Sequence, residues 1–182
     1  MKKSAQALLV MLLGLVIAIV LYQYILQQKY EKRPLPTNLH PRVEEASNAL
    51  IADAAEIGID ITITDGYRSH QEQESLYEQG RSTEGSIVTN ARGGDSYHNY
   101  GLAIDFALQP SANEVIWDLN YDGNGNGKSD WLEVVELAKA LGFSWGGDWE
   151  NFKDYPHLQM DFGLTLRELK RGKRPRDVLE EE

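Results

Sequence analysis

The hydrophobic pattern divides the chain into one unbroken apolar run and a longer series of short periodic segments. Residues Ala7 to Tyr22 carry no charge, and the run extends from Ala5 to Leu26 with few polar interruptions. Its 22 residues make roughly 33 Å of helix, enough for a hydrocarbon core of about 30 Å. Lys2 and Lys3 precede it, which favours a cytoplasmic N-terminus. The sequence that follows, YQYILQQKYEKRPLP, lacks the small-residue pair of a cleavage site. An uncleaved signal anchor over residues 1–28 is therefore expected ahead of a cleaved signal peptide. Either one puts the rest of the chain outside the cytoplasm.

Residues 29–39 are polar, contain Pro34 and Pro36, and read as a linker. From Pro41, a favourable first helical residue, Val43, Ala46, Leu50, Ala54 and Ile57 recur at helical spacing until Gly58. IDITIT (59–64) alternates and is β-branched, hence a strand ended by Asp65-Gly66. Residues 69–79 predict a short helix capped by Ser69 and stopped at Gly80. A Gly/Ser/Thr/Asn-rich loop covers 81–96, and GLAIDFAL (101–108) is an apolar strand. Val115 to Trp117 predict a further strand, 130–141 an amphipathic helix with Leu132, Val135, Leu137 and Leu141 inward, and 156–162 a last strand. No internal repeat is visible. Strands and helices mix without strict alternation, so the fold class is α+β: a small mixed domain over 40–163, with a central antiparallel sheet and flanking helices, preceded by one N-terminal transmembrane helix. The tail, 164–182, holds six basic residues between Arg167 and Arg176 and then acids. It reads as a solvated or frayed end, with wall or lipid binding as the lesser alternative.

Composition narrows the chemistry. The 182 residues include no cysteine, which excludes a disulfide scaffold, Cys-ligated zinc, a cysteine nucleophile and a lipid anchor on cysteine. Any metal site must use His, Asp and Glu. The net charge of −10 argues against nucleic acid as a partner. Without Lys2 and Lys3 the exported part stands at −12, so anionic polymers would not attract it electrostatically.

Four histidines are present, and His98 and His157 stand in informative places. Loop residues lead to His98, and Asp105 lies within the apolar strand AID-FAL. A carboxylate there is costly to bury unless it is paired or bound to metal. Pairing with an arginine or capping a turn would each account for Asp105 taken alone. Two histidines and one carboxylate suit zinc with an open fourth position for water, and His157, starting a second apolar strand, is the natural third ligand. Asp154, three residues before it, can face that position without ligating the metal. Arg68, in TDGYRS, has a plain alternative role as the ion-pair partner of Asp65. His70 reads as a surface helix residue and His40, before Pro41, as structural.

SYHNYGLAID (96–105) resembles the Ser-x-His-x6-Asp signature of the zinc peptidases that include D-alanyl-D-alanine carboxypeptidases, lysostaphin-type enzymes and the hedgehog amino-terminal domain. Asp154-Tyr-Pro-His157 resembles their second motif. Three ordered blocks, 66–81, 91–108 and 142–160, are similar to one branch, the peptidoglycan L-alanyl-D-glutamate endopeptidases, over roughly residues 38–162. The resemblance implies one Zn2+ held by His98, Asp105 and His157, with Asp154 as catalytic acid/base where many relatives have Glu. Arg68 would be catalytic and substrate-binding, facing the substrate and the developing oxyanion, and Ser96 would lie by the ligand loop or the substrate. The implied function is a zinc metallopeptidase, a peptidoglycan hydrolase cutting the L-alanyl-D-glutamate bond of cell-wall stem peptides. The implied setting is a single-pass cell-membrane protein, monomeric, with its catalytic domain extracytoplasmic and facing the wall; secretion after signal cleavage is the alternative. A D,D- or L,D-carboxypeptidase on the same scaffold, a non-catalytic zinc-binding module and a calcium-responsive adhesion protein are the rival readings.

A second metal loop is suggested by Asp118, Asn120, Asp122, Asn124 and Asp130. Counted from Asp118, oxygen ligands recur as in a calcium loop, with Gly123 at position 6, but position 12 is Ser129 and Asp130 comes one residue late. A Gly/Asn-rich surface turn is the alternative.

Overall fold

The computed structural model describes residues 2–31 and 33–176. Five α-helices are described: α1 (Lys2–Glu31), α2 (Pro41–Glu56), α3 (His70–Glu78), α4 (Asp130–Ala140) and α5 (Leu166–Lys170). The strands are β1 (Ile61–Asp65), β2 (Ala103–Ser111), β3 (Glu114–Ile116), β4 (Ser144–Trp145) and β5 (His157–Gln159). They form one antiparallel sheet in the order β1-β2-β5-β4, with β3 also paired to β2. The α+β class and the central antiparallel sheet stand.

Within α1, Leu8–Ile25 is long and apolar enough to cross a membrane, and none of it is buried against the rest of the chain. A signal sequence has the same property. α2 starts where the sequence predicts, because His40 caps it: its Nδ1 accepts from the Arg42 N–H, and Pro41 has no N–H to satisfy. α3 opens with a reciprocal Ser69/Glu72 capping box.

Strand periodicity sorts the side chains onto two faces. Ile104, Phe106 and Leu108 of β2 and Leu158 of β5 join the core built by Val43, Ala46, Leu50 and Ala54 of α2 with Trp131, Val134, Val135 and Ala138 of α4. The residues between them, Asp105 on β2 and His157 and Gln159 on β5, alternate onto the opposite face. Their Cα atoms pair across the ladder, Asp105 with His157. One hydrophobic face therefore builds the core, and the polar positions of the same strands build a site.

Three expectations change. The buried stripe of α4 is Trp131, Val134, Val135 and Ala138, while Leu132 is 47% exposed. The helix starts with Trp131 seated on Phe106, ring centroids 4.5 Å apart, and that contact sets its rotation. The tail is not frayed as far as residue 176. α5 carries its own Thr165/Glu168 capping box, Leu169 is buried, Lys170 pairs with Asp95, and Arg174 lies over the Tyr100 ring. Residues 177–182 of the predicted tail lie outside the described residues. His70 is half-buried rather than on the surface, edge-on to Tyr100 with its Nε2 enclosed.

Candidate metal centre

His98 sits in a 3-10 turn, Tyr97–Tyr100, capped by Ser96, whose hydroxyl accepts from the His98 N–H at 3.4 Å. Gly101 ends the turn in the left-handed region, φ 68°, where a Cβ would stand 2.3 Å from the Asn38 carbonyl oxygen. The turn thus delivers the His98 ring to the sheet face that carries Asp105 and His157.

Three atoms meet there. His98 Nε2 lies 3.3 Å from Asp105 Oδ1, His157 Nδ1 lies 3.3 Å from the same oxygen, and the two nitrogens are 3.2 Å apart. The other nitrogen of each ring fixes its tautomer. His98 Nδ1 donates to the Gly66 carbonyl at 2.7 Å, and His157 Nε2 donates to Gln159 Oε1 at 3.1 Å. Both nitrogens turned toward Asp105 therefore present lone pairs, and Asp105 Oδ1 is buried with no hydrogen-bond donor. Three lone pairs facing one another in a buried site repel unless a cation stands among them. Ligands about 2.0–2.1 Å from a tetrahedral zinc lie about 3.3–3.4 Å from one another, which this triangle fits.

Protons are the competing cation. Burial opposes charge at Asp105 and at His98. Even so, the imidazoles of His157 and His98 hold the Asp105 carboxyl well below the usual carboxylate range, and Asp105 in turn raises His98. A metal at this site must displace the proton that Asp105 favours on His98, so its affinity falls as pH falls.

The triad lies in a cavity of about 940 Å³ also lined by Arg68, Ser96 and Asp154, with Trp149, Phe152 and Val88 among its apolar walls. Burial raises the Asp154 carboxyl above its ordinary value; His157 offsets this and Asp105 reinforces it. Asp154 is positioned through its backbone, which donates to the Gly146 carbonyl and accepts from the His157 N–H. A Cβ on Gly146 would fall 2.4 Å from the Asp154 carbonyl oxygen, so only glycine lets this turn close. Arg68 is held at both ends of its guanidinium: Nη1 donates to Gln73 Oε1 at 2.8 Å and Nη2 to Asp65. The ion pair with Asp65 and the place in the cavity wall are thus both present.

Sequence reasoning passed over Gln159, Gln73 and Asn99. Gln159 lies two residues beyond His157 on one strand face, a period-2 signal that could have marked it. Gln73 is fully buried and ties Arg68 to the Ala91 carbonyl of the 81–96 loop. Asn99, also fully buried, donates to the Arg68 carbonyl and accepts from the Gly94 N–H. Nothing local in the sequence marks these two, because their partners are distant in the chain.

A peptidase family profile described as D-alanyl-D-alanine carboxypeptidase matches residues 89–160, the stretch that carries all three converging side chains and Asp154. The chain is 59% identical to the peptidoglycan L-alanyl-D-glutamate endopeptidase CwlK of Bacillus subtilis over 149 residues, 82% of this chain and 89% of that one. It is 30% identical to the L-alanyl-D-glutamate peptidase of Listeria phage A118 over 68% of this chain and 38% of that one. Among solved structures, the L,D-carboxypeptidase DacB of Streptococcus pneumoniae shares the fold, with a TM-score of 0.50 at 22% identity over 74% of this chain and 77% of that one. Identity of this degree over most of both chains, together with a family match spanning the site, places the protein in the family of the peptidoglycan L-alanyl-D-glutamate endopeptidases, within the LAS-type metallopeptidases.

Proposed function

We propose that this chain is a zinc-dependent peptidoglycan hydrolase that cleaves the L-alanyl-D-glutamate bond of cell-wall stem peptides. The observation that carries the reading is the convergence of three cation-seeking atoms, from His98, Asp105 and His157, in one cavity with Asp154 and Arg68. The bond and the substrate follow from the named activity of the Bacillus subtilis relative.

His98, Asp105 and His157 would hold the zinc ion. When bound, it supplies Lewis-acid polarisation and a lowered pKa for water. Asp154 takes the proton of the attacking water and returns it to the leaving amine as the carbon–nitrogen bond breaks. Its raised pKa suits a group that must both accept and give a proton. Asp65 and Gln73 hold the Arg68 guanidinium in one orientation, and its remaining N–H groups receive the developing oxyanion or the substrate's free carboxylate. Ser96 keeps His98 in place and adds a hydroxyl to the cavity wall.

Gln159→Leu tests the support of the centre. It removes the acceptor that fixes the His157 tautomer, and zinc affinity is expected to fall about 10–100-fold. Competition against a chromophoric chelator reads this directly, and unchanged affinity would remove Gln159 from the account.

The N-terminal helix serves as membrane anchor over residues 1–28, 29–39 as linker, and the peptidase domain faces the cell wall as a monomer. Packing of α5 and Arg174 onto the domain favours extending it from residue 163 to 176.

The test is digestion of peptidoglycan stem peptides by the zinc-loaded full chain, with products read by mass spectrometry. A fragment with a new D-glutamate amino terminus, lost with chelator and restored by zinc, is expected. Free D-alanine would overturn the bond assignment in favour of a carboxypeptidase. No product from zinc-loaded protein would favour a binding module.

A further inference from the structure

The loop between β3 and α4 holds a second oxygen cluster, and its register starts four residues later than Asp118 suggests. Counted from Asp122, the segment DGNGNGKSDWLE (122–133) puts Asp122, Asn124, Asn126, Asp130 and Glu133 at positions 1, 3, 5, 9 and 12, with Gly127 at position 6. This satisfies every position of the D-x-[DN]-x-[DN]-G-x5-E calcium loop, including the final glutamate. Asp118 and Asn120 fall outside it. The Asp118 carboxylate accepts only from the Asn120 N–H among the described contacts.

The backbone wraps around the later register. Asp122 accepts from the N–H groups of Asn126 and Gly127 at 3.0 and 2.9 Å. Asn124 Oδ1 accepts from the Asn126 N–H, and Asn126 Oδ1 from the Lys128 N–H. Glu133, one turn into α4, is drawn in by the Asn126 amide, whose Nδ2 lies 2.9 and 2.8 Å from its two oxygens. These contacts describe a folded loop and by themselves call for no ligand.

Asp130 does. It is 3% exposed, one carboxylate oxygen accepts from the Gly123 N–H at 3.0 Å, and the other, Oδ1, is buried with no hydrogen-bond donor. A buried carboxylate oxygen left without a donor is strongly unfavourable unless a cation meets it. Position 9 of the calcium loop is where such an oxygen belongs.

We propose that residues 122–133 bind one calcium ion through Asp122, Asn124, Asn126, the Lys128 backbone carbonyl, Asp130 and both oxygens of Glu133. The ion takes the place of the Asn126 amide N–H groups beside Glu133, and the Asn126 oxygen turns toward it. The site joins two elements of the core. Asn124 Nδ2 donates to the Ile57 carbonyl at the end of α2, and Asp130 begins α4, whose Trp131 packs on Phe106 of β2. Calcium therefore stabilises the layer behind the strand that bears Asp105, without touching the catalytic cavity. Three carboxylates and two amides set a modest affinity, in the range of about 10⁻⁴–10⁻³ M found for extracellular modules.

The test is thermal unfolding of the zinc-loaded full chain in nonionic detergent, stripped of calcium and titrated with CaCl2 to about 10 mM, with MgCl2 alongside. The midpoint is expected to rise saturably with calcium, by a few degrees up to about 10 °C. Magnesium should do much less, because the loop offers the larger, flexible oxygen shell that calcium takes. Glu133→Gln should abolish the shift and Asp118→Asn should keep it. Equilibrium dialysis of the unaltered chain gives the calcium count even if a variant fails to fold; one ion per chain is expected. No bound calcium, or a shift that survives Glu133→Gln, would overturn the proposal. Loss of the shift in Asp118→Asn alone would overturn the register.

Discussion

Replacing His157 with alanine is expected to lower the zinc content from one ion per chain to none and to abolish peptide hydrolysis. Asp105 Oδ1 and His98 Nε2 would be left 3.3 Å apart with a hole where the third atom stood. Two protein ligands cannot complete a zinc site that needs three and an open position. The loss should far exceed the roughly 10–100-fold in affinity that an outer partner costs. Folding need not suffer in proportion, because the core face of β5 is carried by Leu158, and His157 lies on the other face. Metal analysis on the purified variant, with circular dichroism as the control for folding, checks this. A variant that is folded, zinc-loaded and active would remove His157 from the centre.

Asp154→Asn is expected to separate chemistry from metal binding. The amide keeps the size of the carboxylate and the backbone contacts with Gly146 and His157, but cannot accept the proton of water. Proton transfer of this kind contributes about 10²–10⁴-fold, so kcat should fall by that factor while KM and zinc content stay near their values in the unaltered chain. Steady-state kinetics together with zinc analysis distinguishes the outcomes. Zinc lost with activity would make Asp154 a ligand, and full activity would leave the proton to another group.

The fold was largely legible because its signals are local. Pro41 and Gly58 bracket α2, and the alternation of 59–64 and the apolar run of 101–108 find the two longest paired strands. Short elements were not legible: β4 spans two residues, and the 3-10 turn bearing His98 has no periodicity to read. In α4 Val135 is buried and Leu137 and Leu141 pack against the core as predicted, but Leu132 is exposed and Trp131 takes the buried place instead, since only a long-range contact, Trp131 on Phe106, sets the rotation of the helix. The tail looked frayed by composition, yet Leu169 and Arg174 find partners in Tyr100 and its neighbours that no local pattern announces.

The same division holds at the site. His98, Asp105, His157, Asp154 and Arg68 could be picked out by motif, and the structure brings all five to one cavity. Gln73 and Asn99 act across 31 residues or a loop, and spacing is silent about such contacts. The calcium loop is the opposite case. Its full pattern stands in the sequence, but DLNYDG upstream imitates the first six positions and draws the count to Asp118. Asp130, buried with an oxygen unmet, is the observation on which the later register is proposed.

X-ray absorption at the zinc edge tests the central claim most directly, that three lone-pair atoms on one sheet face are a metal centre. The account predicts a four-coordinate ion at about 2.0–2.1 Å from two imidazole nitrogens, one carboxylate oxygen and one water, and loss of the bound zinc, with its imidazole signal, in His98→Ala. A spectrum with no histidine scattering, or one unchanged by His98→Ala, would contradict it.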